Sequence, residues 1–157
     1  MGYALHKADL DRIHRVLVDL LAASESDECL LCDAGGYVIA QEGPSQADAA
    51  LISALSAGVF SASRELARTL GEDTFSHVLH QGRHRSIFIQ SVSQDLLLVV
   101  VFSHAAGPGL IKLYAGPAAG ECRSIFADIE SRPAASSHPD GRPEFILNEG
   151  DLFAKPG

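Results

Sequence analysis

Residues 28–43 read "ECLLCDAGGYVIAQEG". Cys29 and Cys32 stand three apart, and Gly35-Gly36 sits between two apolar runs. The stretch could be half of a metal site, a glycine loop for a phosphate, or a tight turn between strands. A structural zinc site needs four converging ligands, usually two such pairs or one pair plus histidines. No second CxxC exists, since Cys122 is alone. Residues three apart on a strand point to opposite faces, so Cys29 and Cys32 read as buried strand cysteines. The glycines lead into a strand, whereas a dinucleotide loop leads into a helix whose N-terminus faces the phosphate. The turn reading remains. Asp33 suits the first turn position, and glycine accepts the positive φ of a short hairpin loop.

Working outward, Leu5 to Ala23 repeats apolar residues at helical spacing: Leu10, Ile13, Leu17, Leu20 and Leu21. After the hairpin strands Cys29–Cys32 and Tyr37–Gln41, the spacing predicts a long helix from Ser45 to Leu70, with Ser45 as N-cap and Gly71 as its stop. Its leucine stripe, Leu51, Leu55, Gly58, Ala62, Leu66 and Leu70, is expected to face the core. The opposite face, Ser53, Ala57, Phe60, Ser61, Arg64 and Arg68, is expected to face outward. Three strands follow: Phe75–Gln81, Ser86–Val92 and Leu96–Ser103. The first, with its histidines, suits an exposed edge, and the uniformly apolar last one a central strand. A final helix is expected over Leu110–Ser131 on a stripe of Leu110, Tyr114, Cys122, Ile125 and Ile129, with a kink or break at Pro117. The order α-β-β-α-β-β-β-α predicts an α+β fold: a five-stranded, mainly antiparallel sheet with a long helix and two terminal helices. Residues 1–132 form the domain. From Pro133 to residue 157 a flexible linker is expected, ending in the apolar-acidic cluster of Phe145, Ile146, Leu147, Leu152 and Phe153, which reads as a docking segment or as a tail folding back on its own domain.

The charge balance is −8 without a Lys/Arg cluster, which argues against nucleic acid or an anionic membrane as partner. The longest apolar run, Leu96 to Phe102, is far shorter than the ~20 residues a membrane-spanning helix needs. Three cysteines, an odd number, and no signal peptide point to free thiols in a reducing cytoplasm. His77, His80 and His84 do not converge as ligands, because the first two face opposite sides of a strand and the third lies in a turn. GxxxxGK[ST], HExxH and GxSxG are all absent. With no catalytic constellation, metal set or cofactor loop, the chain reads as a binding module rather than an enzyme.

The hairpin "LLCDAGGYVIAQEG", the helix "LISALSAGVFSASRELARTLGEDTF" and "LLLVVVF" followed by "GPGLIKLY" together resemble the roadblock/dynein-light-chain domain family, a roadblock/profilin-like fold, over about residues 5–132. The length, the lead helix and the "EGDLF" tail look most like its bacterial MglB-type branch, partners of a Ras-like small GTPase in cell polarity and motility. The resemblance implies a homodimer joined through the long helix and an edge strand at Phe75, His77 and Leu79. It also implies activation of the GTPase by repositioning its own switch residues, without an arginine finger. The partner-binding residues would be Ser53, Ala57, Phe60, Ser61, Arg64, Glu65, Arg68, Leu152 and Phe153. The alternative is a roadblock scaffold that localises a GTPase or polarity protein without changing hydrolysis. A metal or small-ligand sensor on a similar sheet is a third reading.

Overall fold

A computed structural model describes residues 3–44, 48–103, 107–133 and 146–147. The element order is β1 (Tyr3–Ala4), α1 (Lys7–Ser24), β2 (Glu28–Asp33), β3 (Val38–Glu42), α2 (Ala49–Thr69), β4 (His77–Gln81), β5 (Arg85–Ser91), β6 (Leu96–Ser103), α3 (Pro108–Ser131) and β7 (Ile146–Leu147). Strands β2 to β6 form one antiparallel sheet in the order β3-β2-β6-β5-β4. The apolar run of β6 is central and buried along seven of its eight residues, as its lack of alternation predicts. β4 lies at the edge, but it begins at His77, so Phe75 precedes the strand.

The Asp33 turn works through one carboxylate. Asp33 Oδ1 accepts from the Gly35 and Tyr37 amides at 2.9 and 3.0 Å, and the Gly36 amide donates to the Asp33 carbonyl at 2.9 Å. Gly36 takes φ +91°, where glycine has no side chain to strain. The two cysteines of the opening stretch do part across the sheet. Cys29 enters the core under α1 and α3, and Cys32 the core under α2. Burial pushes both thiols, and that of Cys122, up to about 12, so all three are unreactive packing groups.

The result is three layers: α1 and α3, the sheet, and α2. The larger core lies between the first two. It takes Ile13, Leu17 and Leu20 from α1, Phe88, Leu98 and Val100 from the sheet, and Cys122, Ile125 and Ile129 from α3. In the first half of α3 the buried stripe is Ile111 and Ala115; Leu110 is half-buried and Tyr114 exposed, one position away from the expected stripe. The helix also runs through Pro117 without the expected break. Pro117 and Gly116 are exposed, so the carbonyl freed one turn back, at exposed Leu113, is open to water. Pro108, at the start of α3, sits where a missing amide proton is harmless.

The helix α2 overturns a larger expectation. Its buried residues are Ser53, Ser56, Ala57, Phe60, Ser63 and Ala67. Its leucines Leu51, Leu55, Leu66 and Leu70 are 55, 62, 62 and 72% exposed. The helix is therefore turned by about half a revolution from the expected orientation. Backbone contact explains the inversion. A Cβ on Gly36 would lie 2.7 Å from the Ala54 Cα, so the hairpin turn and the helix meet without side chains between them. Only small residues fit such an approach at that point, and Phe60 is buried further along in one cluster with Leu30, Ile89, Leu97 and Val99. The start of α2 is also later than expected: Asp48, not Ser45, is its N-cap, with Oδ1 accepting from the Leu51 amide at 3.2 Å. Ser45 lies outside the described residues.

Candidate interaction surface

The outward side of α2 and the neighbouring half of the sheet form one surface. Ile52 and Val59, on the flank of α2, and Val78 and Ile87, of β4 and β5, are partly buried against the same small core around Phe60 and Ile89. Register places Val78 opposite Ile89 and His80 opposite Ile87, so all four point to the α2 side. Between the start of α2 and the β4–β5 hairpin runs an open groove of about 370 Å³, lined by Ile52, His80, Arg85, Ile87 and Val101 among others. The exposed leucines of α2 continue this apolar ground, and the outer edge of β4 pairs with no strand among the described residues. A contiguous apolar face beside an open strand edge marks a protein-binding surface more than a solvated one.

The residues expected to bind a partner divide into four groups. Ser53, Ala57 and Phe60 are 0, 7 and 1% exposed and face the sheet, so they touch no partner. Ser61, Glu65 and Arg68 are exposed, with Arg68 paired to Glu65. Arg64 is half-buried; its guanidinium donates to the Gln94 carbonyl at 2.6 Å and lies 5.5 Å from the Phe60 ring centre. Its side chain is thus engaged by its own fold. Leu152 and Phe153 fall outside the described residues. On β4, His77 and Leu79 point to the α1/α3 side: Leu79 packs on that core, and the His77 ring stacks on Phe88 at 4.9 Å. Burial first, then nearby Lys112, lowers the His77 pKa and favours the neutral ring.

At the β4–β5 hairpin end of the sheet, away from the Asp33 turn, Glu28 is 1% exposed. Its Oε1 accepts from the Gln41 amide at 3.1 Å, and its Oε2 meets no partner among the described residues. Burial raises its pKa, and Arg85 and Gln41 offset only part of this. Among the described residues no three His, Cys, Asp or Glu side chains group as metal ligands, and no helix is long and apolar enough to cross a membrane.

Sequence reasoning missed Leu51, Leu55, Leu66 and Leu70 as surface residues. The available signal was the serine and alanine content of the other face, which marks close approach as readily as exposure.

The Roadblock/LC7 domain matches residues 13–102, from within α1 to the end of β6. The chain belongs to the Roadblock/LC7 domain family. Its roadblock fold is similar to an MglB solved with tetrameric arrangement, at 28% identity, covering 81% of this chain and 96% of that one, with a TM-score of 0.77. The gliding protein MglB from Thermus thermophilus is similar at 28% identity, 80% and 96% coverage and a TM-score of 0.76. Myxococcus xanthus MglB is similar at 26% identity, 82% and 97% coverage and 0.76. Acanthamoeba castellanii profilin II, at 13% identity and 0.51, shares the fold alone. No curated protein matches the sequence.

Proposed function

We propose that this roadblock protein is a homodimeric, cytoplasmic regulator of a bacterial Ras-like small GTPase, without an active site of its own. The observation that carries the reading is the exposed leucine face of α2 beside the open β4 edge, in a fold similar to MglB. Two copies joined along α2 and β4 would cover both. Fully burying a leucine contributes about 1.5–3 kcal/mol, and these are already partly buried, so covering four per protomer together with a strand edge gives a favourable term of the same order as the ~4–15 kcal/mol cost of association. Ser61, Glu65 and Arg68 on the flank of α2, and Leu152 and Phe153 in the tail, are the residues left to contact the GTPase. Arg64 is held by Gln94 and Arg68 by Glu65, which favours activation by repositioning the GTPase's switch residues over an arginine finger.

The test is single-turnover GTP hydrolysis by a Ras-like GTPase encoded beside this gene, with and without the protein. Faster hydrolysis supports an activator. Binding with unchanged hydrolysis selects a scaffold that localises the GTPase. Neither binding nor acceleration rejects both.

A further inference from the structure

The two ends of the edge strand β4 carry opposite charge. Before it, Gly71 leaves α2 at φ +82°. The Gly71 amide donates to the Arg68 carbonyl at 3.0 Å, and the Glu72 amide to the Ala67 carbonyl at 2.8 Å. This paired closure of the helix end fixes where Glu72 and Asp73 depart from α2. The chain is tied down again at Ser76, whose carbonyl accepts from the Ser91 amide at 2.9 Å and from Gln90 Nε2 at 3.0 Å. After β4, the Gly82 amide donates to the Arg85 carbonyl at 3.1 Å and closes a tight turn, in which a Cβ on Gly82 would run into that same oxygen. Arg83 and His84 stand exposed at its tip, and Arg85, exposed as well, lies near the buried Glu28 carboxyl. From Thr74 to Gln94 there is no Asp or Glu, in a chain with 20 acidic residues against 12 Lys and Arg. The side chains of Glu72, Asp73 and Arg83 are exposed, and none makes an ion pair among the described residues.

We propose that these charges form a clasp between two copies of this chain, with Glu72 and Asp73 of each copy against Arg83 and Arg85 of the other, at the two ends of the joined β4 edges. This rests on the reading that two copies join along α2 and β4, and adds what sets their orientation. Identical strands related by a two-fold axis in such a joint pair antiparallel, and every contact is made twice. The whole of β4, His77–Gln81, pairs only when Leu79 faces Leu79, which sets His77 opposite Gln81 of the second copy. The acids lead into His77 and the arginines follow Gln81, so opposite charges meet at both ends of the joint. Asp73 precedes His77 by four residues and Arg83 follows Gln81 by two, and paired strands lie only ~4.8 Å apart, so both groups end at the same corner. A parallel pairing would bring acid to acid and arginine to arginine, and like charges placed together exclude that arrangement. Local complementarity matters for a chain of net charge −8, whose copies repel one another at long range.

The experiment compares the full chain with two variants, Glu72→Lys/Asp73→Lys and Arg83→Glu/His84→Glu. Sedimentation over a range of concentrations reads each alone, and native mass spectrometry reads their mixture. Arg85 is left in place because its charge offsets the buried Glu28. The wild type should dimerise. Each variant alone should dimerise more weakly, with a dissociation constant raised about tenfold or more, because like charges then meet at both ends. The first variant exchanges two negative charges for two positive ones, so net charge alone would tighten its dimer instead. Mixed in equal amounts, the two should recover most of the wild-type affinity as heterodimers. The reversed acids of one then meet the reversed hairpin of the other, and the native ends meet at the second contact. Recovery also shows that both variants fold. A wild-type dimer whose variants associate equally well, or whose mixture holds no more heterodimer than random pairing gives, overturns the clasp and leaves the dimer standing. A wild-type chain that stays monomeric overturns the dimer reading and the clasp with it.

Discussion

Gly36 rests on Ala54 backbone to backbone. A Cβ at Gly36 would lie 2.7 Å from the Ala54 Cα and 3.2 Å from its nitrogen, at a φ of +91°. The neighbouring Gly35 is different, since the nearest atoms to its added Cβ would be side-chain atoms, of the Asp33 carboxylate and the Tyr37 ring, at 3.3 Å. Gly36→Ala therefore combines a strained backbone, about 1–3 kcal/mol, with displacement of α2, about another 1–3 kcal/mol. Gly35→Ala should cost less, because side-chain ends can shift. Chemical denaturation of both variants checks the order. Equal losses would mean that the turn does not set the seat of the long helix.

Phe60 reports on the inverted helix. Had it faced outward, Phe60→Asp would leave the protomer intact and weaken only partner binding. Because it is 1% exposed among Leu30, Ile89, Leu97 and Val99, the same change places a charge in a sealed core. The expected outcome is an unfolded or molten chain. Phe60→Ala should cost about 3–5 kcal/mol and remain measurable. Circular dichroism melts decide it: a Phe60→Asp protein with wild-type stability would restore the outward orientation.

The leucines carry the converse prediction. Leu55→Asp and Leu66→Asp lie on exposed positions, so each should change protomer stability by no more than about 0.5 kcal/mol when measured on separated protomers. Both should shift the proposed dimer towards monomer, strongly in combination. Sedimentation over a range of concentrations reads the shift. A double variant that self-associates like wild type would exclude the α2 face from the interface.

These contrasts locate what the sequence made legible. Where one face of an element is apolar and the other charged, as on α1, the buried stripe follows from spacing, and Ile13, Leu17 and Leu20 lie where periodicity puts them. The apolar run of β6 and the Asp33 turn are similarly unambiguous. On α2 both faces are poor in charge, and hydropathy favours the leucine face for the core. The deciding quantity is the distance between backbones, fixed by Gly36 on a different element, which no periodicity within the helix encodes. The tail's Leu152 and Phe153 stand outside the described residues, so their part in the site rests on composition alone.

Glu28 gives the protein a definite pH response. Burial raises its folded pKa above the usual 4.5, with Arg85 and the Gln41 hydrogen bond opposing. For a carboxyl with a raised folded pKa, the protonated form is the one the fold favours. Its contribution is fully present below 4.5 and is lost as pH rises through the higher folded value. When the carboxyl is charged, its Oε2 is buried without a partner among the described residues. Glu28→Gln keeps the shape and the acceptor for Gln41 while removing the charge. It should stabilise the protein at pH 7, because a neutral amide costs less to bury than a charged carboxylate with the same single partner. The gain should shrink as pH falls towards 4.5. Thermal melts of both proteins from pH 4 to 7.5 test the sign: a variant less stable at pH 7, or a difference constant across the range, would show that Glu28 is better accommodated charged than its surroundings imply.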